Sequence, residues 1–158
     1  MVLWLTGPSG AGKTAIASVL KNYFEEKWHA VAVLDGDDIR DKTQNFSFTP
    51  EARETHQKYV AWCASELEKL SIVIVATISP KQKHRDYARS LCTEFKEIWV
   101  ATETATLKRR DPKGLYAAKT QGLLDYEVPK NPDLIISGED PLNIDYIQAE
   151  IWTHTKIL

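Results

Sequence analysis

The sequence predicts an α/β fold, a five-stranded parallel sheet flanked by helices in three layers. Three observations predict it. Short apolar runs alternate with helical patterns along the chain, as in a parallel sheet covered by helices. The first two runs, Val2-Leu3-Trp4-Leu5 and Ala30-Val31-Ala32-Val33-Leu34, are continuous rather than alternating, as strands buried on both faces read. Between them stands Gly7-Pro8-Ser9-Gly10-Ala11-Gly12-Lys13-Thr14, which fits G-x-x-x-x-G-K-[ST] throughout.

Each element follows from local chemistry. Glycines let a backbone fold into a nest of N–H donors and let phosphate approach without a clashing Cβ. Gly7 to Thr14 is therefore a phosphate-binding loop, and strand, loop and helix together open a P-loop NTPase fold. Lys13 reaches the β- and γ-phosphates of ATP, and the Thr14 hydroxyl can hold Mg²⁺. The loop feeds a helix over 13–26, whose apolar positions Ile16, Val19, Leu20 and Tyr23 recur at helical spacing. The second strand, 30–34, stops at Asp35-Gly36-Asp37-Asp38, and a polar stretch follows to Thr49. Thr49-Pro50-Glu51 is a helix start, with a hydroxyl cap, proline at the first position and an acid in the first turn; that helix runs to 69. Residues 71–77 form a third strand, 82–94 a helix, 97–101 a fourth strand and 104–110 a short helix that begins a lid. Residues 133–137 form the fifth strand, and 141–152 the closing helix.

The chain has 158 residues, 43% of them hydrophobic, with a net charge of −2. These values predict a single domain, 1–158, with a full core. They argue against a broad basic surface for nucleic acid. No apolar run approaches a membrane span, and the chain enters its first strand without a charged leader. Cys63 and Cys92 lie far apart in helical patterns and read as buried free thiols, so the expected location is cytoplasmic. The tryptophans read mostly as core.

Ligands of parallel sheets sit beyond the C-terminal strand ends. This rule gathers the phosphate loop, Asp35 to Asp37, Ser79 and the residues around 102–104 onto one rim. Asp35 and Asp37 can orient Mg²⁺ or its waters, and Asp37 can take a proton from an acceptor hydroxyl. Strand three ends in Ala76-Thr77 rather than an aspartate, which favours a small kinase over an NTPase motor. Arg109, Arg110 and Lys113 flank Asp111-Pro112 and can close over the negative charge of a transferring phosphoryl group. Arg40 and Arg53 can hold an anionic second substrate, and Phe48 can stack on its base.

These motifs, in order and over most of the chain, resemble adenylylsulfate kinase, which phosphorylates the 3′-hydroxyl of adenosine 5′-phosphosulfate with MgATP. Trp4-Leu5-Thr6-Gly7 into the phosphate loop resembles the family's opening. Leu34-Asp35-Gly36-Asp37-Asp38-Ile39-Arg40 resembles its acidic motif, and Phe48-Thr49 with Arg53 its F-S-x-x-x-R stretch. Ile78-Ser79-Pro80, Arg110-Asp111-Pro112-Lys113-Gly114-Leu115-Tyr116, Tyr126-Glu127-Val128-Pro129 and Asn131-Pro132-Asp133-Leu134 resemble later motifs. The resemblance implies that Gly7 to Thr14, with Arg109 and Arg110, bind ATP. It implies that Thr14 and Asp37 hold Mg²⁺. It makes Lys13, Asp37, Ser79 and Lys113 the catalytic set. Asp35, Arg40, Phe48, Arg53, His56, Ile78, Ser79 and Lys113 would line the nucleotide-substrate site. The family's I-S-P serine is described as a phosphoserine intermediate. In-line transfer, with Ser79 orienting substrate, is the physically simpler route, because no base for that serine is evident in the sequence. The resemblance also implies a homodimer and a place in sulfate assimilation.

The chain departs from the family pattern at five places, the first being Asp38, where asparagine is usual. His56 stands where asparagine is usual, Lys81 follows the I-S-P motif, and His84 replaces an aspartate. The segment from Lys119 to Tyr126 is short and lacks the family's F-T-G-I, whose phenylalanine stacks on the substrate adenine opposite the one matching Phe48. Two other readings therefore stay open: a kinase for a hydroxyl of another nucleotide or nucleotide-linked compound, and a nucleotide-binding module without catalysis. Binding alone would not require Lys13, Thr14, Asp37 and the lid cations together.

Overall fold

A computed structural model describes residues 1–118 and 125–156. The elements are β1 (Val2–Thr6), α1 (Lys13–Glu25), β2 (Val31–Asp35), α2 (Gly36–Thr43), α3 (Pro50–Leu67), β3 (Ile72–Ala76), α4 (Gln82–Leu91), β4 (Phe95–Ala101), α5 (Thr104–Arg110), β5 (Leu134–Ser137) and α6 (Ile144–Thr155). The strands form one sheet in the order β2-β3-β1-β4-β5, and every pairing is parallel. The expected five-stranded parallel sheet is present.

Strand alternation divides the core into two layers. Leu3 and Leu5 of β1 point to one face, where Ile16, Leu20 and Phe24 of α1 and Ile147 and Ile151 of α6 cover them. Val2 and Trp4 point to the other face, under Val60, Ala61 and Ala64 of α3 and Ala88 of α4. β1 is central and fully buried, which explains its unbroken apolar run. The register sets Leu5 and Asp35 each opposite Ala76, and Thr6 opposite Trp99. The strand ends that carry the phosphate loop, Asp35 and Thr77 thus finish side by side.

Five expectations are revised. β2 lies at the sheet edge, and its residues are half-buried rather than covered on both faces, with Val33 exposed. The buried stripe of α1 is Ile16, Ala17, Leu20 and Phe24; Val19 and Tyr23 pack only partly against it. Residues 36–43, where the sequence suggests only a strand end and a polar stretch, form α2. That helix has little apolar periodicity but carries its own end signals. Asp35 caps the Asp37 amide, Asp37 and Asp38 occupy the first turn, and Arg40 and Lys42 lie in the last. Among the tryptophans, Trp4 is buried, whereas Trp28, Trp62 and Trp152 are exposed. Cys63 and Cys92 are free, as expected, but only half-buried.

Candidate active site

β1 delivers the chain into the phosphate loop, which closes on α1. Gly12 caps that helix at a φ of 98°, a left-handed conformation that a side chain would strain. Lys13 folds back over the loop, donating to the Gly7 carbonyl at 2.9 Å and the Pro8 carbonyl at 2.7 Å. Burial lowers its pKa to about 8, against opposing pulls from Asp37 and Asp35. The Thr14 hydroxyl donates to Asp35 Oδ2 at 2.8 Å. A hydroxyl and a carboxylate of this kind, beside a phosphate loop, are the hard oxygen donors that Mg²⁺ takes. The carboxylate that meets Thr14 is Asp35, while Asp37, which the resemblance names beside Thr14 for Mg²⁺, lies against Lys113. Asp35 also accepts from the Asp37 amide at 2.9 Å, which fixes the entry to α2.

Asp37 faces the lid instead. Lys113 Nζ contacts both of its carboxylate oxygens at 2.7 Å. α5 and the turn after it bring Lys113 across the cavity. Asp111 accepts from the Tyr116 and Ala117 amides, and the Tyr116 hydroxyl donates to the Ser9 carbonyl at 2.9 Å, tying the lid to the loop. Arg110 is also bound to protein. It donates to the Gly10 carbonyl at 2.9 Å, the Gly138 carbonyl at 2.8 Å and Asp140. Arg109 reaches Thr106 at 3.4 Å. Neither arginine lines the cavity, so their structural place is behind the phosphate loop and along α5.

A cavity of about 550 Å³ extends from the phosphate loop past Asp35, Asp37 and Lys113 to a second wall. That wall holds Arg40, Phe48, Arg53 and His56, while Thr77 and Ile78 at the end of β3, and Gln57, which is bonded to Thr77, also line the cavity. Arg40 donates to the Asn45 and Ser47 carbonyls, each at 3.0 Å, which shapes the loop after α2. Its guanidinium lies 4.7 Å from the centre of the Phe48 ring, and that of Arg53 lies 6.0 Å away. Burial lowers both arginine pKa values, yet arginine remains cationic in any physiological range. Phe48 is 51% exposed, so its ring is available to a ligand rather than committed to core. His56 is buried on α3, and burial, aided by nearby Arg40, pushes its pKa down to about 4. It stands in the cavity as a neutral imidazole at pH 7.

Ser79 differs from the expectation of a catalytic side chain. It is fully buried and does not line the cavity. Its hydroxyl accepts from the Trp4 indole at 2.9 Å and donates to Gln57 Oε1 at 2.7 Å. A hydroxyl held on both sides in this way is not poised to attack phosphorus. Its loop is anchored by Arg85, which is also fully buried and donates to the Ser79 carbonyl at 2.6 Å and the Glu127 carbonyl at 2.8 Å. Arg85 Nε lies 2.8 Å from Glu97 Oε1, an ion pair without the alignment of a directed hydrogen bond.

Gln57 and Thr77 were missed in the sequence. Gln57 shares the buried face of α3 with Val60, Ala61 and Ala64, and a polar residue on that stripe was the available signal. The short segment after the lid, Lys119 to Leu124, lies outside the described residues.

A phosphate loop, a hydroxyl–carboxylate pair beside it, a lid lysine on a second carboxylate and a cationic aromatic wall in one cavity define a P-loop phosphotransferase. Comparison with known proteins gives the particular family. Residues 1–137 match the family model for adenylylsulphate kinase. A probable adenylyl-sulfate kinase of Pyrococcus abyssi is 40% identical over 147 residues, covering 86% of this chain and 84% of its own. An adenylyl-sulfate kinase of Pseudomonas aeruginosa is 41% identical over 155 residues, covering 89% and 79%. The Mycobacterium tuberculosis APS kinase CysC, solved in complex with AMPPNP and APS, superposes with a TM-score of 0.86 at 30% identity over 99% of this chain and 97% of that one. The chain belongs to the adenylylsulphate kinase family.

Proposed function

We infer that this protein transfers the γ-phosphate of ATP to the 3′-hydroxyl of adenosine 5′-phosphosulfate, giving ADP and the 3′-phosphorylated product. The observation that carries the reading is the single cavity that joins a phosphate loop to a wall of Arg40, Arg53 and Phe48. Phosphoryl transfer needs donor and acceptor nucleotides in one water-poor space, with a carboxylate and mobile cations between them. In this reading Asp37 and Lys113, which line the same cavity and meet each other, supply that carboxylate and one of those cations.

ATP lies with its phosphates in the Gly7 to Thr14 loop. Lys13 leaves the Gly7 and Pro8 carbonyls to pair with the β- and γ-phosphates. Thr14 and Asp35 would hold Mg²⁺, which when bound neutralises charge on the β- and γ-phosphates. Arg40 and Arg53 take the anionic group of the acceptor nucleotide, and Phe48 takes one face of its base. Asp37 accepts the 3′-hydroxyl proton as that oxygen forms its bond to the γ-phosphorus and the bridge to the β-phosphate breaks. Lys113 exchanges Asp37 for the transferring group. Both members of that pair are solvent-exposed, so parting them costs little. Ser79 acts by position, holding the wall.

A homodimer and a cytoplasmic location belong to the same proposal. The exposed Tyr59 and Trp62, 6.0 Å apart on α3, are surface that a second copy could cover. No described helix is long and apolar enough to cross a membrane. Light scattering on the purified protein tests the dimer.

The deciding experiment is a coupled assay of ADP release with MgATP and adenosine 5′-phosphosulfate, with the product identified by mass. A 3′-phosphorylated product is expected. ATP binding without product would overturn the acceptor assignment, and a panel of nucleotides would then identify the acceptor.

A further inference from the structure

A chain of four hydrogen-bonding side chains runs from the core to the cavity wall. It begins at the fully buried Trp4, whose indole N–H can only donate and gives its proton to Ser79 Oγ. The Ser79 hydroxyl, itself fully buried, must then place its own proton on an acceptor within the protein. Gln57 Oε1, at 2.7 Å, is that acceptor. With Oε1 turned to Ser79, the Gln57 amide presents Nε2 to Thr77 Oγ1 at 3.1 Å. Reversing the amide would make Ser79 accept twice and leave its proton without a partner among the described residues, so the direction of the chain is fixed. Thr77 Oγ1 therefore accepts from Gln57, and its own proton has no acceptor among the described residues.

Thr77 and Gln57 both line the cavity, the same one whose far wall carries Arg40, Arg53 and His56. The two arginines on that wall are cations, and the Thr77 O–H adds an oriented donor. Such a set complements an anionic oxygen. We propose that Thr77 is a specificity-determining residue whose hydroxyl donates to an anionic oxygen of the acceptor nucleotide, its direction set by Trp4, Ser79 and Gln57. This rests on the functional reading above and deepens it. It also gives Ser79 a positioning role, one that needs no phosphoserine.

The test is steady-state kinetics of Thr77→Val, which replaces the hydroxyl by a methyl of similar volume, beside Thr77→Ser. In Thr77→Val the KM for adenosine 5′-phosphosulfate should rise about tenfold or more, as for a lost hydrogen bond to a charged group. The KM for ATP and kcat should stay within about threefold, and Thr77→Ser should return the acceptor KM to near the wild-type value. An unchanged acceptor KM in folded Thr77→Val overturns the inference, and so does an equal rise in both KM values. If Thr77→Val does not fold, Thr77→Ala is read by the same criteria. Wild-type turnover separates the two levels. Its absence with adenosine 5′-phosphosulfate overturns the functional reading, whereas its presence with an unaltered Thr77→Val overturns the Thr77 inference alone.

Discussion

Lys113 Nζ lies 2.7 Å from each carboxylate oxygen of Asp37, joining residues 76 positions apart across the cavity. The pair places the lid cation over the carboxylate that the proposed function assigns to the acceptor proton. Lys113 and Asp37 are 40% and 62% exposed. A contact this wet adds little to stability, and its meaning is positional. Asp37→Asn should therefore lower kcat by about 10²-fold, within the range of a lost general base, while ATP affinity changes by less than about threefold. Lys113→Met should lower kcat by a similar factor, as for removal of one charge-stabilising group. Neither should move Tm by more than about 2 °C, because surface changes lie within about 0.5 kcal/mol. Single-turnover kinetics with calorimetric ATP titration checks each expectation.

Lys13 predicts how ATP binding responds to pH. Burial lowers its pKa to about 8 in the free protein, and phosphate binds the protonated form. The free protein loses this proton as pH rises through 8, so ATP binding must restore it and weakens above that point. Between pH 7 and pH 9 the Kd for ATP should rise about tenfold, with proton uptake at the higher pH visible as a buffer-dependent binding enthalpy. Lys13→Ala should abolish transfer.

Gly138 predicts a dependence of the phosphate loop on the end of β5. A Cβ at this position would lie 1.9 Å from the Ala11 carbonyl oxygen and 2.4 Å from Thr102 Oγ1. Thr102 itself donates to the Ala11 carbonyl at 2.8 Å. Gly138→Ala must push the loop or the strand end aside, at about 1–3 kcal/mol. A fall in Tm together with a higher KM for ATP is expected, read by calorimetry and the coupled assay.

Arg85 and Glu97 predict a pH-dependent stability loss. Arg85→Met takes from Glu97, which is 2% exposed, its 2.8 Å partner and leaves it Arg89 at 3.5 Å. Breaking a buried pair this way costs about 3–5 kcal/mol, or roughly 10 °C in Tm for a domain this size. Burial already raises the Glu97 pKa in the intact protein, and loss of Arg85 raises it further. A carboxyl whose folded pKa is raised regains stability as pH falls through that pKa. The deficit should therefore shrink as pH falls from neutrality, as thermal melts over a series of pH values would show.

Local patterns made the fold readable. The Lys13 to Glu25 helix, the Thr49 cap before Pro50 and the buried strands each announce themselves within a few residues. α2 escapes such patterns because its signal lies in charge rather than in apolar spacing. The half exposure of β2 is not legible locally, because edge position depends on strand order, which sequence periodicity does not encode.

The site was readable as far as single motifs carry chemistry. Gly7 to Thr14, Asp35, Asp37, Arg40, Phe48, Arg53 and Lys113 could each be named from neighbours in sequence. Which side chains meet was decided only by tertiary structure. Thr14 meets Asp35, Lys113 meets Asp37, Arg110 turns to the Gly10 and Gly138 carbonyls, and Ser79 is enclosed by Trp4 and Gln57. The physical reason is reach. Backbone propensity, capping and loop geometry act over a few residues and are written locally. Charge pairing and hydrogen-bond direction depend on atoms within about 3 Å, brought together by sheet order from positions tens of residues apart.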